Sequence, residues 1–341
     1  QPLIERTDVE NIEIYGFDKV ILQKAGGALE EAGPVAQSDA DLIAFLQFLA
    51  TRNPADERPF SPAKPTLEIA LPEARARLAA VAWDVPRPRV TIRLQHLKDV
   101  SMKSLVANGT MSLQVAEFLS AAVRGRKNIV VSGAGQGSGK TTLLRALAKC
   151  IDSDESIATI ETDYELYLHE DPHFSRVLPL QERLSSGEAA NKGGQITASD
   201  RIRTSLRHNI DRVIVGEVRG SEILAMFTAM QAGNGSLSTV HADSAFQVPD
   251  RLATLALEHG DVSEEFAKRM VGQSINLVVF VSVDRSGPSK RRYVSHVIET
   301  VPGENGQVGI NEIFGPDQNG EIVKKNVPSF NADLKESGER L

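Results

Sequence analysis

The stretch 128–149, NIVVSGAGQGSGKTTLLRALAK, constrains the fold more than any other part of the chain. A short apolar run, Ile129, Val130 and Val131, leads into a glycine-rich loop, then Lys140, Thr141 and Thr142, then a helix-like LLRALAK. Strand, glycine-rich loop and helix in that order describe a phosphate loop, whose backbone N–H groups point inward around phosphate oxygens. The helix that follows turns the positive end of its dipole toward the same anion. Gly135, Gln136, Gly137, Ser138, Gly139, Lys140, Thr141 and Thr142 are therefore expected to hold a nucleotide, ATP. Lys140 would bridge the β- and γ-phosphates, and the Thr141 hydroxyl would ligate Mg²⁺. The motif's first glycine position, six residues before Lys140, is Ala134. Its small side chain keeps the backbone close, and Gly133, Gly135, Gly137 and Gly139 leave the loop free to adopt positive φ.

A strand–loop–helix unit of this kind needs a parallel sheet to sit in. A chain of 341 residues has room for that and for a second domain. At 41% hydrophobic and 24% charged, the composition is that of a globular protein. No apolar run approaches the roughly 20 residues that span a bilayer, and candidates such as 277–281 are short. The N-terminus is polar and acidic, with no signal-peptide pattern. The lone Cys150 excludes an internal disulfide and a cysteine-based zinc site. A cytoplasmic protein is expected. A net charge of −7 argues against a chain that coats nucleic acid.

Three zones follow along the chain: an N-terminal α+β domain over 1–85, a linker and incoming strand over 86–110, and the phosphate-loop domain over 111–341. Strand-like runs lie at 12–15, 20–23 and 66–70, and helical pieces at 39–50 and 72–81. The proline- and charge-rich stretch 51–65 reads as a mobile loop. The prolines of 84–89 oppose regular structure and suggest a linker, followed by a strand at 90–94 and a helix at 112–124. From about residue 128 strands and helices alternate, with short apolar strands at 157–161, 213–217 and 238–241. Each ends in a charged or polar residue, and in open parallel sheets ligands bind at the carboxyl ends of strands. Residues 184–198 are Gly/Ser-rich and read as flexible; from about residue 284 the pattern is one of hairpins.

Those strand ends supply the chemistry. Glu217, closing the run RVIVGEVRG, is placed to organise the Mg²⁺ shell through water or to orient an attacking water. Glu161, Asp163 and Glu165 close IATIETDYEL; Glu161 and Glu165 are the better candidates for holding Mg²⁺ or acting as general base. His241, in GSLSTVHADSA, is placed to hydrogen-bond the γ-phosphate. Arginines cluster at 183, 201, 203, 207 and 219, and arginine stabilises charge on a transferring phosphoryl group. Arg183 and Arg207 are favoured, with Arg203 and Arg207 sharing one face of a helix over 201–207. Arg93, on the incoming strand, would reach a nucleotide from the N-terminal side.

Taken together, GAGQGSGKTT, TIETDYEL, VIVGEVRG and STVHADSA resemble, in this order, the Walker A, acidic, Walker B and histidine boxes of the secretion ATPase superfamily of type II and type IV secretion and type IV pilus assembly. The likeness is nearest to its conjugation and tight-adherence pilus branch, strong over 85–300 and weak before. It implies an α/β fold: a RecA-like motor domain preceded by a smaller α+β domain. It also implies a ring, usually hexameric, with Mg²⁺ and ATP bound between the two domains near a neighbouring subunit. Arg183, Arg207 and Arg93 would close on the phosphates, and Glu217, Glu161 and Glu165 match the family's acidic positions. The implied partners are the inner-membrane platform or channel proteins of a secretion or pilus machine, with the protein peripheral to the cytoplasmic face of the membrane and no direct nucleic acid. This sequence departs from the family's pattern at Ala134, at Thr162 where Glu-Asp is usual, and at His208-Asn209, where an arginine is missing.

The mechanochemical ATPase has rivals at this level. A nucleic-acid-dependent RecA-type motor is disfavoured by net charge and by the lack of an aromatic-basic stacking stretch. A small-molecule kinase would need an acceptor pocket that nothing here suggests. A nucleotide-gated scaffold with little hydrolysis is kept open by Ala134 and Thr162.

Overall fold

The computed structural model describes residues 2–24, 26–52, 60–95, 100–135, 137–183, 195–232, 235–287 and 290–336. They belong to two compact units: Gln1–Lys98 with Arg183–Gln195, and Asp99–Glu182 with Ile196–Leu341.

The first unit is an antiparallel sheet of β1 (Val9–Tyr15), β2 (Lys19–Lys24), β3 (Leu29–Ala32), β4 (Thr66–Leu71), β5 (Ala76–Val81) and β6 (Arg89–Leu94), in the order β3-β2-β1-β6-β5-β4. Helix α1 (Asp39–Thr51) packs on it. The Ser38 hydroxyl caps α1 by accepting the Asp41 N–H, which satisfies one of the orphan donors at a helix start. Leu42, Leu46 and Ala50, four residues apart, bury one face of the helix against Ile12, Leu22, Leu67 and Leu78.

Several expectations fail here, for identifiable reasons. Residues 72–81 are not a helix but a short 3₁₀ turn, Pro72–Ala74, followed by β5. The segment is rich in helix-forming Ala, Leu, Arg and Glu, yet Ala76, Leu78 and Ala80 alternate as buried residues, and the period of two prevails over local propensity. The strand expected to lead into the phosphate-loop domain is instead an inner strand of the first sheet, since β6 pairs with both β1 and β5. Val81 lies opposite Arg89, so the proline-rich stretch between them is a hairpin connection and not an interdomain linker. The division between units falls after Lys98 rather than near residue 85. Of the expected loop at 51–65, residues 53–59 lie outside the described residues, as do 184–194 of the expected flexible segment 184–198.

The second unit contains α2 (Met102–Ala107), α3 (Leu113–Arg124), β7 (Ile129–Gly133), α4 (Lys140–Ala148), β8 (Ile157–Glu161), β9 (Val177–Gln181), α5 (Ala198–Ser205), β10 (Arg212–Val218), α6 (Glu222–Gln231), β11 (Leu237–His241), α7 (Val248–His259), α8 (Glu264–Ser274), β12 (Leu277–Asp284), β13 (Arg291–Pro302), β14 (Val308–Pro316), β15 (Ile322–Lys324) and α9 (Asn331–Glu336). Its sheet runs β15-β14-β13-β12-β7-β11-β10-β8-β9. The strands from β12 to β9 are parallel, and β13, β14 and β15 extend the sheet as an antiparallel ribbon.

Every residue of β7 and β8 is buried, as expected of parallel strands covered on both faces. Ile129 and Val131 pack with Leu119, Leu144 and Leu147 of α3 and α4. Val130, Val213 and Val215 pack with Met226, Leu252 and Val271 of α6, α7 and α8. Each such side chain contributes about 1.5–3 kcal/mol by leaving water. At the amino end of β10, Arg212 is only 1% exposed; its Nε and Nη2 each donate to Glu155 at 2.9 Å, and its Nη1 donates to the Val123 carbonyl at 2.7 Å. The strands are thereby clamped at the end away from the phosphate loop.

Candidate active site

The carboxyl ends of β7, β10 and β11, three neighbours in the sheet, bring the predicted boxes together. β7 runs into the glycine-rich loop, and Gly137 and Gly139 take φ +72 and +99, values that fit glycine and almost no other residue. Ala134 has no positive φ, so its methyl group is accommodated. Gly139 is the N-cap of α4 and supplies no side chain to cap it. The first N–H groups of α4 therefore face the loop without a side-chain acceptor, which is the arrangement that binds an anion.

Lys140 opens α4, is 8% exposed, and folds over this loop. Its Nζ lies 3.5 Å from the Gly135 carbonyl and from the Ser138 hydroxyl, and 3.2 Å from the His241 ring nitrogens. His241 closes β11, and its Nε2 lies 2.8 Å from Oε1 of Glu217. The imidazole pKa is lowered by partial burial and then by the Lys140 charge, so the ring is held toward its neutral form. A neutral ring accepts a hydrogen bond from the Lys140 ammonium on one nitrogen and carries its own proton on the other.

Glu217, near the end of β10, forms an ion pair with Arg219, two residues on and so on the same side of an extended chain. Partial burial works against the Arg219 charge, but the Glu217 carboxylate outweighs it, and the guanidinium pKa is raised. The other Glu217 oxygen, Oε1, is buried and has no hydrogen-bond donor in line, although His241 is close.

The acidic box divides its labour. The Thr141 hydroxyl donates to Oε2 of Glu165 at 3.3 Å, so Glu165 reaches the phosphate loop directly. Glu161 faces inward instead: it is 4% exposed, and its Oε2 accepts the backbone N–H groups of Glu165 at 2.8 Å and Leu166 at 2.9 Å. Burial, with the Glu165 charge adding to it, raises the Glu161 carboxyl to about 7 against the pull of those two N–H groups. Glu161 therefore holds the turn that presents Glu165. Gly216 makes room for it, since a Cβ there would sit 3.0 Å from the Glu161 Cγ.

Mg²⁺ prefers a few hard oxygens and keeps several waters. The Thr141 hydroxyl, the Glu165 carboxylate beside it and the Glu217 carboxylate are oxygen donors of the kind such a cation takes. Among the described residues no group of three or more His, Cys, Asp or Glu would hold a metal by itself. A cleft of about 380 Å³ beside the site is lined by Gly135, His241, Ala242, Asp243, Gln247 and Arg251.

Of the favoured arginines, Arg207 belongs to the same unit as these groups but lies away from them. Helix α5 ends at Ser205 with Leu206 as its C-cap, so Arg207 lies exposed in the turn that follows and does not share a helical face with Arg203. That turn precedes β10, near the amino ends of the strands, and Glu217 stands five residue steps of strand beyond Arg212, or about 17 Å. Arg93 is exposed on β6, across from Asn11 and Arg77, and Arg183 is exposed; both belong to the first unit. Gln136 lies outside the described residues. The arginines at the site are others. Arg219 stood among the clustered arginines of the sequence without being favoured, although it lies two residues from Glu217. Arg292 of β13, whose Nε donates to the Gly137 carbonyl at 2.7 Å, carried no local signal.

The chain is similar to several known proteins. The chain is 26% identical over 297 residues to the conjugal transfer protein TrbB of Rhizobium radiobacter, covering 86% of this chain and 85% of that one. Over 182 residues, 52% of this chain and 51% of the other, it is 35% identical to the type IV secretion system protein PtlH of Bordetella pertussis. Its fold is similar to that of the Legionella pneumophila ATPase DotB, with a TM-score of 0.60 and 18% identity, covering 89% of this chain and 79% of that one. It is also similar to the pilus retraction motor PilT solved with bound ADP, with a TM-score of 0.57 and 15% identity over 97% and 83% of the two chains. The fold is accordingly a RecA-like phosphate-loop domain preceded by a smaller α+β domain, with no helix among the described residues long and apolar enough to cross a membrane. The family model of the type II/IV secretion system proteins matches residues 11–328, and this chain belongs to that family.

Proposed function

We propose that this protein hydrolyses ATP at the carboxyl ends of β7, β10 and β11, and that it powers an envelope machine for secretion, conjugation or pilus assembly. The observation that supports it most is the contact chain from Lys140 through His241 to Glu217, joined at Thr141 by Glu165.

In this reading the loop amides from Gly135 to Thr142 bind the phosphates, and Lys140 leaves its loop partners for the β- and γ-phosphates. Thr141 and, through water, Glu217 would hold Mg²⁺, which when bound supplies charge neutralisation on those phosphates. Attack by water needs positioning and electrostatics more than covalent chemistry. Glu217 and Glu165 orient that water and accept its proton, and neutral His241 hydrogen-bonds the γ-phosphate and registers its loss. Glu161 acts through Glu165.

The chain is further proposed to work as a hexameric ring, peripheral to the cytoplasmic face of the membrane and bound to platform or channel proteins. Arg93, Arg183 and Arg207 are proposed to supply positive charge to the phosphates in that assembly. Family membership supports this part of the reading. Phosphate release by the intact chain, compared with Lys140→Ala, tests the hydrolytic claim: the variant should lose turnover, and near-normal turnover in it would refute the assignment.

A further inference from the structure

Arg292 lies outside all four boxes and 155 residues beyond Gly137, yet its Nε donates to the Gly137 carbonyl at 2.7 Å. Its Cδ lies 3.3 Å from where a Cβ on Gly139 would stand, so the side chain lies against the loop from Gly137 to the start of α4. A loop whose N–H groups face a phosphate must turn carbonyls outward, and an outward carbonyl needs a donor or water. Gly137, at φ +72, has no side chain to fix its orientation. Arg292 fixes it from outside.

The anchor of Arg292 is stiff. It pairs with Val283 of β12, and the same strand β12 places Val281 beside Gly133, the last residue of β7 before the loop. The two ends of this bracket, the strand that enters the loop and the arginine that holds its middle, belong to one sheet. Glycine-rich loops lose more conformational freedom on ordering than other segments, so a bond that orders the loop beforehand strengthens binding without touching the ligand.

We infer that Arg292 is a positioning residue of the phosphate loop: it holds the Gly137 carbonyl outward and keeps the loop amides turned toward the nucleotide, so that the β12–β13 hairpin sets nucleotide affinity. The inference rests on the nucleotide-binding reading above.

The test uses the full chain as wild type, Arg292→Gln and Arg292→Lys. Without nucleotide, amide hydrogen exchange over residues 135–142 should be faster in Arg292→Gln and intermediate in Arg292→Lys. With a fluorescent MgADP analogue, Arg292→Gln should bind about tenfold more weakly, while kcat at saturating ATP stays within about twofold. Wild-type exchange and wild-type affinity in Arg292→Gln would overturn the inference, as would a fall in kcat at unchanged affinity. Arg292→Lys gives the same readouts should the glutamine variant fold poorly. If wild type takes up no MgADP, the nucleotide-binding reading fails, whereas the exchange comparison still reports on the loop.

Discussion

Nε2 of His241 lies 2.8 Å from Oε1 of Glu217, and that buried oxygen has no hydrogen-bond donor in line. This contact lies at the carboxyl end of β10, in the middle of the candidate site, and the other Glu217 oxygen is held by Arg219. Such a carboxylate is oriented and still able to accept a proton.

Glu217→Gln keeps the shape of the side chain and removes its charge. MgATP affinity is expected to stay within about threefold of wild type, with hydrolysis slowed at least about a hundredfold, near 2.7 kcal/mol of transition-state stabilisation. Calorimetry and a phosphate-release assay on the same preparation check both halves. Hydrolysis within about fivefold of wild type would remove Glu217 from the chemistry.

The Glu161 carboxyl, ordinarily near 4.5, is raised to about 7 by burial. Between those two pH values the folded chain keeps a proton that the unfolded chain has lost, so stability falls as pH rises through the interval and this contribution levels off above it. Glu161→Gln retains an acceptor for the Glu165 and Leu166 N–H groups and carries no charge. Its melting temperature relative to wild type should therefore rise from pH 4.5 to pH 7.5; a difference that does not change with pH would contradict the assignment.

Arg212 and Glu155 form the buried pair at the far end of the sheet. Arg212→Met leaves Glu155 with Arg126 alone and should destabilise the protein by about 3 kcal/mol, whereas Arg212→Met combined with Glu155→Leu should recover part of that loss. Denaturant unfolding of the three proteins measures the coupling. A single variant as stable as wild type would show that the clamp contributes little.

Much of this was legible in the residues because the central strands are covered on both faces. The run 157–161 was readable as a strand since continuous burial leaves a continuous apolar run, and β8 spans Ile157–Glu161. The helix expected at 112–124 was marked by Ser112, which caps α3. By contrast, β5 is written in helix-forming residues, and only pairing with β4 and β6 makes it a strand. The prolines before β6 resembled a linker because a hairpin connection and a linker share the same local chemistry. In the site, the order of the boxes located Lys140, Glu165, Glu217 and His241. Spacing alone did not separate Glu165, which reaches Thr141, from Glu161, which turns into the core. Arg292 depends on a long-range register across β12 and β13 that no local pattern encodes.

The central claim is that a nucleotide binds on the loop that Lys140 closes. Titrating the intact protein with MgADP in a calorimeter tests it most directly, with Lys140→Ala alongside. The account predicts saturable heat for wild type and a loss of at least about tenfold in affinity for the variant. An absence of binding by wild type, or equal binding by the two proteins, would contradict it.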